Sequence, residues 1–489
     1  MVCKNEHGLL NNFIWKFLER ISAQLVTLLV SVILARILSP EDYGIIAIVN
    51  IFIAFANVFV AYGFGNSLIQ KKDVNALDYS TVLFFNIGLT FFLYLTLFFL
   101  APLISAFYGK GYEILTPVLR VLGLRLILSG INSVQQAYVA QKMIFKKFFV
   151  ATLSGTIISA IVGIIMALTG FGIWALVAQS LLSPIINTVV LTISLKKKVI
   201  FAFSISRLKS LWSFGSYMLL SGILMTFFEE LRALLIGKVY TSKDLAYYDK
   251  GKQFPNIIVS NTTTSLSSVL FPKMSKEQDE ISVLKETMRK TIRFSSFIMS
   301  PLLLGLFAVS ESFVCLLLTP KWLPCVPLLQ SFCIYYLFQP MHAVNTQAIK
   351  AMGKSRLFLR LEIIKKVIEF IVLICTIRIS VSAMAYSMAG LSILFTFLNA
   401  YPNVKFLKYT FKEQFSDILP SIFSSALMCI GVVLLGGIPT NDFIKLLIQI
   451  LFGSTFYILV SHISKSEELK YLFGLIKNKL SYKKETKND

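Results

Sequence analysis

Gly44-Ile-Ile-Ala-Ile-Val-Asn-Ile-Phe-Ile-Ala-Phe-Ala-Asn-Val-Phe-Val-Ala-Tyr-Gly63 runs for twenty residues without a charged side chain. Wound as an α-helix at about 1.5 Å per residue, it is about 30 Å long, the thickness of a bilayer's hydrocarbon core. A barrel strand would alternate polar and apolar residues over about ten positions, and this stretch does not. Comparable runs recur along the chain, near 13–38, 44–70, 80–107, 117–141, 148–169, 171–195, 213–237, 246–271, 291–318, 326–349, 357–378, 383–401, 418–438 and 443–463. The sequence therefore predicts an all-α integral membrane protein of about fourteen transmembrane helices. Its composition agrees: of 489 residues, 56% are hydrophobic and 15% charged, with a mean hydropathy of +0.74.

The charges test this count independently. With the N-terminus in the cytoplasm, every second connection should collect Lys and Arg. Lys71 and Lys72, Lys142 and Lys146, Lys196 to Lys198, the cluster from Lys273 to Arg293, Lys350 to Arg360, Lys405 to Lys412 and the tail from Lys465 onward all fall on that side. Connections on the other side, such as 39–44 and 169–172, carry few cations or none. The pattern places both termini in the cytoplasm. It also reads the net charge of +22 as topology and attraction to phospholipid headgroups, not nucleic-acid binding, because no single basic face exists.

Other classes are disfavoured by what the chain lacks. Six cysteines without a CxxC pair and three histidines predict neither a disulfide framework nor a metal site. No Walker A, nucleophile elbow or dinucleotide motif occurs, so no cofactor is expected, and the connections are too short for a catalytic domain. The first apolar run is too long for a signal peptide and is expected to remain as the first helix.

An internal repeat organises the spans. A shift of 210 residues places Tyr112 on Trp322, Pro117-Val-Leu on Pro327-Leu-Leu, and Val134-Gln135 on Val344-Asn345. A looser match pairs Leu38-Ser-Pro-Glu-Asp-Tyr-Gly44 with Tyr240-Thr-Ser-Lys-Asp-Leu-Ala246. Six spans separate equivalent points, so the two halves are parallel repeats, the arrangement of an alternating-access transporter. The expected division is a first lobe at 1–197, a second at 198–412, two further helices at 413–464 and a basic cytoplasmic tail at 465–489.

Three motifs carry a resemblance: Leu34-Ala-Arg-Ile-Leu-Ser-Pro-Glu-Asp-Tyr-Gly44, Ala61-Tyr-Gly-Phe-Gly-Asn66 and Gln135-Gln-Ala-Tyr-Val-Ala-Gln-Lys-Met-Ile-Phe-Lys146. With them the chain resembles, over essentially its whole length, the Wzx/WzxC-type polysaccharide-export flippases of the multidrug/oligosaccharidyl-lipid/polysaccharide exporter superfamily. The resemblance implies a MATE-like fold. It also implies translocation of undecaprenyl-diphosphate-linked oligosaccharide across a bacterial inner membrane for O-antigen, capsule or exopolysaccharide synthesis. The polysaccharide polymerase machinery is an implied partner. A MATE-type drug or cation antiporter is the alternative, and a membrane polymerase or ligase a weaker one.

Such a cargo needs cations for its phosphates and hydrogen-bonding groups for its sugars, and charges at membrane depth are costly enough to mark a cavity or a pair. Arg125, Ser129, Asn132 and Gln136 follow spacings of four, three and four, one stripe of a helix. Lys250, Lys252 and Asn261 form a second candidate set. Guanidinium suits bidentate phosphate contact and ammonium supplies a point charge. Against this stand snorkelling of cations to the interface and polar glue between helices. In 213–237, Glu229 and Arg232 are three apart and able to neutralise each other. Alternatively Arg232 joins the substrate cations, and Glu229 or Glu230 binds a proton or sodium ion and couples its gradient to transport. Glu362 with Lys366, and Lys365 with Glu369, are expected to pair four apart.

Overall fold

The computed structural model describes residues 2–61, 68, 74–195, 202–278 and 280–470, with no strand among them. Lys71, Lys72, Lys196 to Lys198, the motif from Tyr62 to Asn66 and the tail beyond 470 lie outside the described residues. The helices are α1 (Val2–Ile37), α2 (Pro40–Ala61), α3 (Ala76–Tyr108), α4 (Leu115–Gly123), α5 (Arg125–Lys142), α6 (Phe145–Leu168), α7 (Ile173–Leu195), α8 (Ile205–Val239), α9 (Ser242–Lys276), α10 (Ile281–Ala308), α11 (Ser310–Leu318), α12 (Val326–Leu337), α13 (Gln339–Ala351), α14 (Ser355–Thr376), α15 (Val381–Leu407), α16 (Phe411–Leu435) and α17 (Asp442–Ile463).

Helix falls at each of the fourteen expected places, but three expected spans are broken. Between α4 and α5 the ladder tightens: the Leu124 amide donates to the Val121 carbonyl and the Leu124 carbonyl accepts from Ile127, both at 3.2 Å. Between α12 and α13, Pro340 supplies no amide to continue the ladder past Phe338. The third break, at Val309, separates α10 from α11. Among the described residues nine helical segments are long and apolar enough to cross a membrane. Helices α1, α8, α9 and α14 and the pair α12–α13 are not among them; α14 carries too much charge along its length, and the uncharged middle of α9, 253–272, is too rich in Asn, Thr and Ser.

Lipid-facing surfaces are apolar. On α14 Ile363, Ile364, Val367, Phe370, Ile371 and Ile374 are exposed, and α3 and α17 present similar faces. In water such patches would aggregate, whereas in a bilayer they are solvated. The opposite face of α14 holds Glu362, Lys365, Lys366 and Glu369. The charges pair within the helix as expected, but three residues apart instead of four: Lys365 with Glu362 at 2.5 Å and Lys366 with Glu369 at 2.8 Å. Neighbours three and four apart lie equally near on a helix, so either register satisfies the charges.

Contacts divide the chain into two compact units, 1–246 and 247–489. In the first, α6 packs on α7 and α1, α3 on α4 and α5, and α8 on α2 and α3. In the second, α10 packs along α16, α12 and α13 along α15, and α17 on α16 and α11. One end of this unit is knotted by polar groups. The Asn345 amide donates to Gln414 Oε1 at 2.9 Å, Asn403 donates to Asn345 Oδ1 at 2.7 Å, and Gln414 donates to the Tyr409 carbonyl at 2.9 Å, all buried. Beside them Asp417 accepts from Arg289 (2.9 and 3.0 Å), from Arg293 (2.6 Å) and from the Tyr409 hydroxyl (2.6 Å). Lys285 binds Glu413 at 2.8 Å. These contacts fasten α16 to α10 and to the α15–α16 turn.

Because the Asp417 side chain is fully buried, removing it strands two guanidinium groups and a phenol. Asp417→Ala is expected to destabilise the protein by on the order of 3 kcal/mol, read as a lower thermal midpoint in detergent. Lys290→Ala, which removes an exposed pair with Glu286, should leave the midpoint within experimental error.

Candidate functional site

The α4–α5 break places Arg125 at the first position of α5, well inside the Leu115–Lys142 span. Its guanidinium is half-buried and donates through Nη1 to Asn50 Oδ1 of α2 at 3.3 Å. Asn50 is exposed and neutral, and among the described residues no carboxylate comes within ion-pair distance of Arg125. A cation held at membrane depth by an amide alone keeps most of its charge available to an anion.

The rest of the stripe divides. Asn132 donates to Asn187 Oδ1 of α7 at 2.9 Å, and Asn187 donates to Thr152 Oγ1 of α6 at 3.0 Å. Asn132 thus binds helices together. Gln136 donates to Asn132 Oδ1 at 2.8 Å and remains exposed, while Ser129 is half-buried between Arg125 and this network. The sequence reading missed Asn50 and Asn187. Asn50 was legible as a lone amide within an apolar run; Asn187 carried no such signal, since its role depends on the packing of α6 against α7.

On α8, Arg232 is buried, Glu230 half-buried and Glu229 exposed. On α9, Lys250 is 5% exposed, donates to Gln253 Oε1 at 3.1 Å and lies 5.8 Å from the centre of the Trp322 ring. Gly251 makes this possible: a Cβ there would lie 2.8 Å from Leu328 Cβ, so only glycine lets α9 approach α12 so closely. Lys252 is half-buried, and Asn261 donates to the Ile257 carbonyl of its own helix at 3.0 Å. Gln253 and the exposed Asp249, beside Lys250, were also missed.

The two segments equated by the looser repeat match have the same cap. Ser39 Oγ donates to Asp42 Oδ2 (2.8 Å) while the Asp42 amide donates back (3.2 Å); Thr241 Oγ1 and Asp244 repeat this at 2.7 and 3.1 Å. These first turns of α2 and α9 touch. A Cβ on Gly44 would fall 1.8 Å from the Ser242 carbonyl oxygen, Lys243 pairs with Glu41 at 3.3 Å, and the Ser242 amide donates to the Tyr112 hydroxyl at 2.9 Å.

A model of the family described as "Polysaccharide biosynthesis protein" matches residues 33–327. The teichuronic acid biosynthesis protein TuaB of Bacillus subtilis (strain 168) is 27% identical over 316 residues, 62% of this chain; the match spans 63% of TuaB's own length. The lipopolysaccharide biosynthesis protein WzxC of Escherichia coli (strain K12) is 22% identical over 379 residues, 70% of this chain and 76% of WzxC. Among solved structures, one described as "Lipid II flippase MurJ, inward closed conformation" superposes with a TM-score of 0.74 at 16% identity, covering 93% of this chain and 98% of that one. The all-α multi-pass fold expected from the sequence is therefore the fold found. With the family model spanning well over half of its 489 residues, the chain belongs to the polysaccharide biosynthesis protein family.

Proposed function

We propose that the protein is a flippase for undecaprenyl-diphosphate-linked oligosaccharide, moving repeat units across a bacterial inner membrane by alternating access, with both termini in the cytoplasm. The reading rests on Arg125, a membrane-embedded guanidinium whose bond partner is a neutral amide. A diphosphate is the natural counter-ion for such a group. The names of TuaB, a teichuronic acid biosynthesis protein, and WzxC, a lipopolysaccharide biosynthesis protein, support a saccharide cargo. In this reading Arg125, Arg232, Lys250 and Lys252 serve the phosphates, while Ser129, Gln136 and Asn261 serve hydroxyls and Asn132 orients Gln136. A drug or cation antiporter would want carboxylates where Arg125 stands. No covalent step is required, so the protein acts as a transporter and not as an enzyme. Fourteen spans in a six-plus-six-plus-two plan complete the proposal.

Loss of one charge-assisted phosphate contact costs about 2 kcal/mol, roughly thirtyfold. Arg125→Ala should therefore lower flipping of labelled lipid-linked oligosaccharide in proteoliposomes by about that factor, and Arg125→Lys by less. Undiminished transport by the alanine variant would overturn the role of Arg125 in binding the diphosphate.

In the cycle proposed, the contact between the α2 and α9 turns, which joins equivalent places of the two repeats, opens once per turnover. A short thiol-reactive cross-linker joining Glu41→Cys to Lys243→Cys should stop transport, and reductive cleavage of the linker should restore it. For ion coupling, Glu229→Gln or Glu230→Gln should alter the dependence of transport on the proton or sodium gradient. An identical dependence in both variants would assign the carboxylates to structure alone.

A further inference from the structure

α10 of the second repeat, the two helices beyond the repeats, α16 and α17, and the turn after α17 enclose a cavity of about 290 Å3. Its wall is unlike the rest of the membrane-facing protein. Serines 416, 421, 424, 461, 464 and 466 line it, Tyr457 and Phe297 close its inner end, and Arg293, Asp417, Glu467 and Glu468 supply its charge. Ser421, Ser424 and Ser461 are buried, whereas Ser416, Ser464 and Glu467 are exposed. The cavity therefore opens at the end where α16 begins and α17 finishes, on the side that the charge pattern assigns to the cytoplasm. Ser424 lies thirteen residues beyond Phe411, about 20 Å along the helix axis, so the polar lining penetrates well below the interface.

The charges at the mouth are of both signs and stand close together. Asp417 is consumed by Arg289, Arg293 and Tyr409. Arg293 gives its Nε to that carboxylate, and its Nη1 end points at Glu467 Oε2, 3.6 Å away, a long pair with an exposed partner and worth little. Glu468 stands beside it, oriented by a 2.7 Å hydrogen bond from Ser466 Oγ. A purely anionic headgroup would meet Arg293 but also two glutamates. A simple cation would meet the glutamates but also Arg293. A ligand that carries a phosphate and an ammonium a few ångströms apart satisfies both, replacing one long ion pair by two charge-assisted ones.

We propose that this cavity binds the zwitterionic headgroup of an aminophospholipid from the adjacent leaflet. The phosphate sits on Arg293, the ammonium on Glu467 and Glu468, and the serine hydroxyls hydrogen-bond the phosphate and ester oxygens. The acyl chains then remain in the leaflet from which the headgroup enters. The site is separate from Arg125 and from Lys250, and its occupancy is read without any transport measurement.

The test is native mass spectrometry of the full chain in detergent, titrated with phosphatidylethanolamine, phosphatidylglycerol, phosphatidylcholine and soluble phosphoethanolamine. Phosphatidylethanolamine should saturate at about a tenfold lower concentration than the other two lipids, since choline offers no N–H donors and glycerol no cation. Soluble phosphoethanolamine should compete with it. Glu467→Gln should erase the preference by removing a carboxylate, and Ser424→Leu should do so by filling the cavity. Glu286→Gln, on α10 but outside the cavity, should keep it. Equal binding of the three lipids, or a preference that survives both cavity variants, would overturn the proposal. Binding of soluble phosphoethanolamine without that of the lipid would overturn its membrane source.

Discussion

A bilayer offers neither water to the backbone nor counter-ions to side chains, and that single constraint orders everything else in this protein. Each amide must find its carbonyl within its own helix, which is why the described chain is helix apart from short connections. Each charge must find a partner or face an aqueous space, which is why the intramembrane charges are few and organised. Those of α14 neutralise one another three residues apart, two arginines share the one carboxylate of Asp417, and Arg125 rests on an amide. The first arrangement settles its charges internally, and the second leaves one end of Arg293 to the cavity mouth. The third leaves a charge available, and the functional reading grows from that contrast.

Much of this was legible in the sequence because hydrophobicity at membrane scale is a long-range, additive signal. Twenty apolar residues in a row admit one conformation in lipid. The breaks at Leu124 and Phe338 were not legible in the same way, since a helix interruption in the middle of an apolar run is decided by local ladder geometry and by proline placement. The candidate site was partly legible. Periodicity put Arg125, Asn132 and Gln136 on one stripe, but the partners that sort them, Asn50 and Asn187, lie 75 and 55 residues from the groups they bind. A pattern within one helix cannot show which neighbouring helix it meets. The same limit explains the α14 pairs: the sequence fixes that opposite charges are neighbours, while rotamers decide between the three- and four-residue registers.

The matching caps at Ser39–Asp42 and Thr241–Asp244 give the repeat a physical content that weak residue identities lack. In both, a hydroxyl and a carboxylate exchange hydrogen bonds across a helix start, fixing where the helix begins and therefore the depth at which its side chains sit. Glu41 and Lys243 fill the same place in the two motifs with opposite charge, so the repeat has diverged at a single position into a complementary pair. Gly44 and its counterpart Ala246 have diverged as well, and only the glycine permits the contact with Ser242.

The cluster around Asp417 also bears on how the molecule is assembled. Arg289 and Arg293 lie in α10, more than 120 residues ahead of the carboxylate that holds them. During synthesis from the N-terminus, both arginines emerge long before Asp417 exists to receive them. Until α16 arrives, headgroup phosphates must stand in for that carboxylate, with interfacial water solvating the rest. The late hairpin of α16 and α17 is thus a closing element, whose insertion gives both arginines the buried carboxylate of Asp417. A ribosome that stopped before residue 411 would release a chain with all of its repeat helices and an unfinished, interfacially charged flank.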